Sequence, residues 1–600
     1  MRSPSAVILR RWLPRIAVVA VACWVVRLVR EVFLTTNLTV AGDGQVAIRY
    51  WEVARTSFAR GHGFPLWDRS QCAGYPFLGN PETALGSSFV AGVFGIHGDV
   101  MERWYPTLFS VVAMLGVYAW GRRVLLLARL PALFAGAIWV ASGFVSTHFT
   151  GHMTFVPFAL IPWLLLLARL GEDDLRAAAG VGVLLALMAI EGGTYPVPYA
   201  IVALAIAVIP RLFTPGGALK IGRLALISAV VLFLLAGIKL YPELAQLARH
   251  PRHFDERDSL TWSEFFPIFG EKDHLGGFGT HPYVWDEYRA FVGPLALGMG
   301  IAGMGASIIL KPRRWDLFLL ILVTLFLARG HYSESAPYVE LTKLPVFAQL
   351  RVPSRYVVLT ALGVAGAAGV ALDVAIKQAG KRRLLVAFFL AIAAVAVYDP
   401  IVAANHVLKA ACTQPWLPRP DPDPPVSPYQ VVYGSDYNRV AEYPARNFGA
   451  VTCYKPWEYP EGSGYLMDAR PQAFVDGPDV GSVQRVEVLQ NGYDFDVTMA
   501  RAGSVHVIQN FDPDWRSDVG AAARSQNGTL DVRLPAGTHH VKLRYKPAGL
   551  MMGALTSIAG VLLVLAIFAL HVLLDRRKKQ RALHDDEVAP AAKAPSALAA

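Results

Sequence analysis

The feature that most constrains this chain is a succession of apolar stretches, each long enough to cross the hydrocarbon core of a bilayer as a helix. A backbone in hydrocarbon must satisfy its own hydrogen bonds, so each stretch predicts a transmembrane helix. The first follows basic residues, as in a signal peptide. It is too long for one, however, and no small-residue cleavage site follows it, so we predict an uncleaved anchor. There are about twelve stretches, at 12–34, 103–127, 131–148, 153–169, 177–191, 195–211, 221–240, 291–310, 315–329, 356–376, 383–400 and 549–574.

The composition agrees with a membrane protein. Hydrophobic residues make up 54% of the chain and charged residues 17%, whereas soluble proteins carry roughly 25% charged residues. This deficit excludes a soluble enzyme and a disordered protein, and the 4 cysteines are too few for a disulfide-rich secreted protein. The predicted class is a polytopic α-helical membrane protein with additional mass outside the membrane.

The charge distribution predicts the orientation. A net charge of +11 suggests nucleic-acid binding, but the basic residues lie in small clusters between the apolar stretches. Such clusters mark the cytoplasmic loops of membrane proteins. With a cytoplasmic N-terminus, every even-numbered stretch ends at a basic cluster, such as Arg122/Arg123, Lys311/Arg313/Arg314 or Arg576–Lys579. We therefore predict that both termini are cytoplasmic and that nucleic acid is not a partner.

This orientation leaves three large segments on the outer side, at 35–102, 241–290 and 401–548. The second is rich in charged and aromatic residues. The first contains a helical pattern that would suit a helix lying flat on the membrane surface. Its apolar side carries Trp51, Ala54 and Phe58, and its charged side carries Arg49, Glu52 and Arg55.

The third outer segment has the pattern of a β-domain. Residues alternate between apolar and polar on both sides of Asn491-Gly492, which predicts a hairpin. A second hairpin is predicted to pair Leu530–Leu534 with Val541–Tyr545 across the turn at 535–538. We therefore predict a small extracytoplasmic β-sandwich. Such a domain could hold or orient a bound molecule. The predicted divisions are a transmembrane bundle at 1–400, a Pro-rich linker at 401–428, the β-sandwich at 429–547, a last transmembrane helix at 548–574 and a disordered cytoplasmic tail at 575–600.

The cysteines allow one disulfide in this outer domain. Cys412 and Cys453 both fall there, and a disulfide between them is plausible in an oxidising compartment. Cys72 is predicted to be unpaired.

Polar residues lie at the outer ends of the stretches. Placing an ionisable group there costs free energy, so each such residue is a candidate for a functional or structural role. Asp43 lies between Gly42 and Gly44, just after the first stretch. A carboxylate there could act as a base or bind a cation, although a plain turn is the alternative. Asn80 and Glu82 end a Gly- and Pro-rich loop that either faces a cavity or plugs the bundle.

Further candidates are histidines and a carboxylate. His148 and His152 lie at the outer ends of adjacent stretches, where they could bind a metal ion or make structural hydrogen bonds. Glu191 ends another stretch and is one of the few carboxylates in the apolar regions, which favours a functional role.

The remaining candidates are cationic. Lys239 lies near the end of a stretch, Arg257 lies in the following loop, and Arg351 and Arg355 flank a rigid Val-Pro-Ser spacer. Arginine binds phosphate through two parallel hydrogen bonds, so this pair suits a phosphate site. Anchoring to lipid headgroups is the alternative.

These motifs together resemble a known family. The resemblance rests on an early Asp43, Gly74-Tyr-Pro-Phe-Leu-Gly-Asn-Pro81, Gly151-His-Met-Thr-Phe155, Arg351-Val-Pro-Ser-Arg-Tyr356, Asn510-Phe-Asp-Pro-Asp-Trp515 and Val541-Lys-Leu-Arg-Tyr-Lys-Pro547. It covers nearly the whole chain. The sequence resembles the YfhO-type bacterial membrane proteins of the GT-C glycosyltransferase superfamily.

The resemblance implies a reaction at the outer face of the bacterial cytoplasmic (inner) membrane. A hexosyltransferase would move a sugar from a polyprenyl-phosphate donor to a glycan, lipid or protein acceptor of the cell envelope. Asp43 matches the acidic residue that the superfamily uses as base or metal ligand, and Arg351 and Arg355 match the arginine pair. The resemblance implies no nucleotide. The resemblance does not decide whether a divalent cation takes part; Glu82 or Glu191 could supply a second carboxylate for one. Asn80, His152, Lys239 and Arg257 complete the predicted substrate site.

Two other functions fit parts of the pattern. A transporter or flippase of lipid-linked glycans is the main alternative, although transporters often carry internal repeats and none is visible here. A scaffold built around the β-domain is the other.

Overall fold

The protein is a bundle of apolar helices joined to β-sheets near the C-terminus. The structure, a computed structural model, describes residues 4–251, 257–272, 276–417, 434–447, 449–450 and 471–588. Short 3₁₀ helices lie at Met153–Leu160, Trp285–Glu287, Pro353–Tyr356 and Gly434–Glu442. The α-helices are α1 (Pro4–Val29), α2 (Glu31–Thr35), α3 (Asp43–Ala59), α4 (Leu85–Phe94), α5 (Gly98–Arg123), α6 (Arg129–Ala141), α7 (Gly143–Gly151), α8 (Ile161–Gly171), α9 (Leu175–Ile190), α10 (Pro196–Leu212), α11 (Gly217–Leu235), α12 (Gly237–Arg249), α13 (Phe265–Gly270), α14 (Pro294–Ile309), α15 (Trp315–Ala328), α16 (Pro337–Thr342), α17 (Val357–Ala379), α18 (Arg383–Ala411) and α19 (Leu550–Val588).

Every predicted apolar stretch falls on one or more of these helices. Within the described residues, six helices are long and apolar enough to cross a membrane. The number is seven if α6 and α7, which are bent by 49°, form one span. Other apolar helices, such as α9, α10, α14 and α15, are shorter. The helical membrane class is thus confirmed, and the count of about twelve crossings stays a prediction.

The centre of the bundle is α17, which is buried along nearly its whole length. Small residues allow its neighbours to approach closely: a Cβ on Gly303 of α14 would overlap the backbone oxygen of Ala367 of α17. In the same way, Gly363 lies against α15 and Gly366 lies against Trp120. Close backbone approach at small residues is how helices pack where lipid removes the hydrophobic drive for association.

The β-strands form two larger sheets and two short ribbons. The strands are β1 (Leu38–Val40), β2 (Trp67–Asp68), β3 (Tyr75–Pro76), β4 (Cys412–Pro415), β5 (Ala473–Phe474), β6 (Gly481–Leu489), β7 (Gly492–Met499), β8 (Gly503–Asn510), β9 (Trp515–Ser517), β10 (Ala521–Arg524), β11 (Thr529–Leu534) and β12 (Gly537–Tyr545). The larger sheets have the orders β10-β11-β8-β5 and β6-β7-β12-β9. Buried apolar residues of both sheets belong to one core, as in a β-sandwich.

The hairpin at Asn491-Gly492 is confirmed, since β6 pairs antiparallel with β7 and Val486 lies opposite Phe495. The second predicted hairpin is wrong. β11 pairs with β10 and β8, whereas β12 pairs with β7 and β9 in the other sheet. The turn at 535–538 therefore crosses between the two sheets, because both flanking strands find partners elsewhere.

Two predicted boundaries differ from the structure. The linker was predicted from residue 401, but α18 continues to Ala411 and β4 then pairs with β1. The rest of the predicted linker, 418–428, lies outside the described residues. The tail was predicted to be disordered from residue 575, but α19 continues to Val588; residues 589–600 lie outside the described part.

The helix predicted to lie flat on the membrane is instead buried on nearly all sides. In α3, Arg49 is 0% exposed and Trp51 is 1% exposed. Arg49 forms an ion pair with Asp68 and donates to Tyr75 Oη at 2.8 Å. The charged side of α3 thus contacts protein partners, because a buried charge needs a compensating charge and hydrogen bonds.

The predicted state of the cysteines is wrong in two respects. Cys72, predicted to be unpaired, is disulfide-bonded. Cys412 is free and packs in an apolar cluster with Phe33, Val40 and Leu408, where a thiol behaves as a small hydrophobic group. Cys453 lies outside the described residues.

The loop between α3 and α4 (residues 60–84, the α3–α4 loop) holds the β-sandwich against the bundle. Its Trp67 ring packs 5.1 Å from the Trp515 ring and 4.7 Å from the Tyr545 ring, measured between centroids. Trp67 Nε1 donates to Gln509 Oε1, and Asn510 Nδ2 donates to Gly74 O at 3.1 Å. The loop and the sandwich therefore pack as one unit.

Gly74→Ala is expected to destabilise this joint by about 1–3 kcal/mol, because it combines backbone strain with a clash. Gly74 has φ +100°, and a Cβ there would lie 2.6 Å from Trp67 Nε1. The control is Gly95→Ala, since Gly95 also has positive φ (+64°) but has open space around it. Thermal unfolding of both variants checks this; equal losses would show that the joint tolerates the added methyl group.

Candidate active site

A cavity of about 430 Å³ lies where the start of α3 meets the ends of α7 and α18. The segment before α14 completes its wall through Val284, Asp286 and Glu287. Its polar lining includes Asp43, Thr147, His148, Thr150, His152 and Thr413, and its apolar lining includes Val40, Val407 and Leu408. We call it the first cavity. It is large enough for a sugar-sized group next to an apolar chain.

Asp43 is positioned at the beginning of α3. Gly42 before it has φ +60°, a conformation that glycine adopts at low cost. The N–H of Gly42 donates to Asn438 Oδ1 at 2.8 Å, which fixes the turn. Asp43 Oδ2 lies 3.2 Å from His152 Nδ1, and both side chains remain partly exposed to the cavity. A carboxylate paired with an imidazole in this way can accept a proton from a bound hydroxyl.

His148 lines the same cavity but is buried, with an exposed fraction of 3%. Its ring stacks on Phe144 at 4.1 Å and faces the His152 ring at 5.7 Å. Among the described residues, neither ring nitrogen has a hydrogen-bond partner; Glu287 Oε2 lies 3.9 Å from Nε2. A buried polar group of this kind needs a partner, and the cavity is where a ligand could supply it.

Glu287 is a member of the site that sequence reasoning missed. It accepts two hydrogen bonds from Arg355, at 2.8 Å from Nε and 2.6 Å from Nη2. Burial by itself raises the pKa of Glu287. The charge of Arg355 and the contacts of His148 and Arg355 outweigh burial, so the pKa of Glu287 lies well below its ordinary value. Glu287 is thus a fixed anion beside the first cavity.

The stability supplied by Glu287 is expected to be insensitive to mild acid. A carboxylate with a lowered folded-state pKa stabilises the fold above its unfolded value and loses this contribution only as pH falls through the folded pKa. The difference in unfolding midpoint between wild type and Glu287→Gln should stay constant between about pH 7 and about pH 5. It should shrink progressively as pH falls below the ordinary value of 4.5, and it should be lost once pH has fallen through the lowered folded-state pKa. A difference that disappears near pH 5 would contradict this.

A second cavity of about 320 Å³ lies where the end of α9 and the beginning of α10 meet α12. The Arg355 guanidinium packs over the Tyr195 ring at 4.4 Å and the Phe155 ring at 4.8 Å. Arg355 therefore contacts one lining residue of each cavity, Glu287 of the first and Tyr195 of the second. The hydroxyls of Tyr195 and Thr194 have no hydrogen-bond partner within the part of the chain that the structure describes. Most of the remaining lining is apolar: Pro81, Ala189, Val197, Pro198, Leu240, Leu244, Leu247, Pro345, Val346 and Leu350.

The structure brings together only part of the predicted site. Asp43 and His152 line the first cavity, and Arg355 reaches it through Glu287. Arg351 is half-buried and follows Leu350, which lines the second cavity. Arg257 lies on the surface, 3.8 Å from Glu334, and is 76% exposed.

The other predicted residues form a separate buried network. Lys239 donates to the backbone oxygens of Leu78, at 3.4 Å, and Asn80. Asn80 Nδ2 donates to Tyr50 Oη at 2.8 Å, and its Oδ1 accepts from the Glu82 N–H at 3.0 Å. These contacts hold the end of the α3–α4 loop onto α12.

Glu191 is also engaged with protein groups. Its carboxylate accepts from the Ser87 N–H at 2.8 Å and from Tyr105 Oη at 2.9 Å. These contacts join the end of α9 to α4 and α5.

A divalent cation does not fit the side chains as they are placed. Hard cations take several oxygen ligands. Within the described part of the chain, no three His, Cys, Asp or Glu side chains are arranged to hold a metal ion. In the first cavity Asp43 is paired with His152, and Glu287 with Arg355. We therefore derive no chemical step through a metal.

Comparison with known proteins gives distant structural likenesses. No family model matches the sequence, and no curated protein matches it. Arabinofuranosyltransferase AftD from Mycobacteria is 17% identical with a TM-score of 0.45, over 67% of this chain and 27% of AftD. The oligosaccharyltransferase AglB from Archaeoglobus fulgidus, in complex with an inhibitory peptide and a dolichol-phosphate, is 12% identical with a TM-score of 0.45, over 76% and 65% of the two chains.

A third similar structure is ArnT from Cupriavidus metallidurans bound to undecaprenyl phosphate. It is 14% identical with a TM-score of 0.45, over 73% of this chain and 90% of ArnT. At such identities and scores we draw no conclusion about activity or site residues from these likenesses. None of them tests the resemblance to YfhO-type proteins, which stays a prediction.

Proposed function

We propose that the protein is a membrane glycosyltransferase of the YfhO type, within the GT-C superfamily. It moves a sugar, in the simplest case a hexose, from a polyprenyl-phosphate donor to an acceptor of the bacterial cell envelope. The reaction takes place at the outer face of the cytoplasmic membrane, with both termini in the cytoplasm. The observation that carries the proposal is the Asp43–His152 pair, 3.2 Å apart in a cavity of about 430 Å³, whose lining residue Glu287 pairs with Arg355.

The first cavity suits the acceptor. Asp43 takes the proton of the acceptor hydroxyl as its oxygen forms a bond to the anomeric carbon of the sugar. His152 holds the carboxylate in place from 3.2 Å. The buried nitrogens of His148, for which the described residues offer no hydrogen-bond partner, supply polar contacts to the sugar or acceptor.

The second cavity suits the donor lipid. The bond between the anomeric carbon and the phosphate oxygen breaks, and its electron pair stays on the phosphate. The Tyr195 and Thr194 hydroxyls, which have no hydrogen-bond partner among the described residues, can donate to the phosphate oxygens. The apolar lining suits an isoprenoid chain, and exposed Leu244 and Val346 extend it to the surface.

Arg355 contributes to the phosphate site in a specific way. Its guanidinium is already paired with Glu287, so the pair adds orientation and a local dipole rather than a free positive charge. We assign Arg351, which follows Leu350 of the second cavity's lining, to contact with the phosphate itself.

The test uses purified protein in lipid vesicles with a panel of polyprenyl-phosphate sugars. Release of polyprenyl phosphate is followed by mass spectrometry. We expect release from one donor in the presence of an envelope extract as acceptor source, and no release with Asp43→Asn. Equal release by wild type and Asp43→Asn would refute the catalytic assignment. Transfer of an intact lipid-linked glycan across the bilayer without sugar release would support a flippase instead.

A further inference from the structure

The motif Asn510-Phe-Asp-Pro-Asp-Trp515 has no role in the reaction described above, yet it lies where the β-sandwich meets the bundle. We propose that its acidic turn, Asp512–Asp514, is a positioning device. It clamps α12, which forms a wall of the second cavity, to the unit that also carries Asp43. The catalytic consequence rests on the proposed function; the clamp itself does not.

α12 presents different faces to the two sides. One face lines the second cavity through Leu240, Glu243, Leu244 and Leu247. The other carries Gln246, which is 2% exposed, and Arg249. α12 has 13 residues and is held on one face by the neighbouring domain. Because a packed helix moves as a rigid body, α12 transmits any shift of that domain to its opposite face.

The clamp consists of charged hydrogen bonds. Arg249 donates to both carboxylate oxygens of Asp514, at 3.0 and 3.1 Å, and its Nη1 lies 3.5 Å from Asp512 Oδ1. Gln246 Nε2 donates to Asp512 Oδ2 at 3.2 Å and to Tyr545 Oη at 3.3 Å. A two-pronged arginine–carboxylate contact fixes direction as well as distance.

The acidic turn is itself rigid. Asp512 and Asp514 are 1% and 2% exposed. Asp512 Oδ1 accepts from the Asp514 N–H at 2.8 Å, and Asp514 Oδ2 accepts from the Ala548 N–H at 2.8 Å. Both carboxylates are therefore occupied by protein groups, so the turn holds α12 and does not present a charge to an acceptor.

α19, which follows the sandwich, packs against the beginning of α12. The N–H of Ile238 donates to Ser557 Oγ at 2.9 Å. A Cβ on Gly553 would lie 2.5 Å from the backbone oxygen of Gly237. α12 is thus held at its start by α19 and at its end by the acidic turn.

The contacts between the β-sandwich and the bundle extend to the first cavity. Trp515 follows the acidic turn and packs on Trp67. Asp68, next to Trp67, forms the buried ion pair with Arg49 of α3, and α3 begins at Asp43. One continuous set of buried contacts therefore connects the proposed base to the wall of the proposed donor cavity. This connection keeps the two substrates in register, and a misplacement of about 1 Å can cost about 10²-fold in rate.

The clamp is tested first by a distance measurement that needs no substrate. Spin labels are placed at the exposed positions Ala248 of α12 and Glu487 of β6, through Ala248→Cys and Glu487→Cys in a Cys23→Ser background, since Cys23 is exposed and free. We expect one narrow distance in the otherwise unchanged chain and a broadened distribution with Arg249→Ala. Gln246→Ala, a milder change, should broaden it less.

The matched control is Arg501→Ala. Arg501 pairs with Asp479 at 3.0 Å, but both side chains are exposed on the sandwich, so its loss should leave the distribution narrow. Arg249→Lys keeps a charge on α12 but cannot make the two-pronged contact, so its distribution should be narrower than that of Arg249→Ala and broader than that of the unchanged chain. An unchanged distribution in Arg249→Ala and Gln246→Ala would overturn the clamp.

The positioning role is tested by kinetics with the donor found for the wild type. Arg249→Ala should raise the donor KM about tenfold and change kcat less, corresponding to loss of about 1.4 kcal/mol of binding. A broadened distance with unchanged KM and kcat would overturn the positioning role and leave the clamp as a purely structural joint. If wild type transfers no sugar, the proposed function fails, while the distance measurement still decides the clamp.

Discussion

Replacing Asp43 by asparagine is expected to lower the rate of sugar transfer by about 10²–10⁴-fold, the usual contribution of a positioned general base. The amide has nearly the size of the carboxylate but cannot take the acceptor proton. Asp43 lines the first cavity and lies 3.2 Å from His152. The affinity for the donor should change little, because the donor is assigned to the second cavity. Initial rates at saturating donor, with fixed acceptor, measure the effect.

The matched control for this variant is Asp286→Asn. Asp286 lines the same cavity, but it is 64% exposed and pairs with Arg289 at 3.1 Å. Asp286 is held by a guanidinium and not by an imidazole, so it is not placed as Asp43 is, and its loss should change the rate by less than about tenfold. If the two variants have similar rates, Asp43 is not the base.

The second large effect is expected at Glu287. Glu287→Gln leaves Arg355 buried with no compensating charge, and breaking a buried pair in this way costs about 3–5 kcal/mol of unfolding free energy. Arg355 is 3% exposed and held between Phe155 and Tyr195, so it cannot turn out to solvent. Denaturant or thermal unfolding in a defined detergent measures the loss.

The control removes both charges. Arg355→Met combined with Glu287→Leu leaves no uncompensated charge, and replacing a buried pair by apolar groups is often neutral. We expect the double variant to recover most of the stability lost in Glu287→Gln but not the transfer activity, since Arg355 no longer contacts a lining residue of each cavity. A double variant less stable than the single one would show that the ion pair is not what Glu287 supplies.

Much of the fold follows from local sequence patterns. Apolar length identified the helices, and period-two alternation with Asn491-Gly492 identified the β6–β7 hairpin. Alternation marks a strand but not its partner, which is why β11 and β12 were wrongly paired although they are adjacent in the chain. The pattern of α3 was misread for a related reason. A charged helix face points to solvent only if its side chains have no partner in the protein. In α3, Arg49 forms an ion pair with Asp68.

The site was partly predictable. Asp43 and His152 stand out because they lie at the edges of apolar stretches, and the structure brings them to 3.2 Å. Glu287 could not be singled out, since the segment around it is rich in charge and its partner Arg355 lies far along the chain. Lys239 and Glu191 satisfied the same rule as Asp43, yet they contact protein groups. A polar residue at a membrane edge needs a partner, and the sequence does not show whether that partner is a ligand.

The most direct test of the account follows the sugar and the lipid in the same vesicles. Purified protein is reconstituted with the donor labelled on the sugar and on the lipid, together with acceptor. The account predicts that the sugar label leaves the lipid in wild type but not in Asp43→Asn, and that the lipid label keeps its distribution between the leaflets. Movement of the intact labelled donor across the bilayer, with no sugar released by wild type, would contradict it.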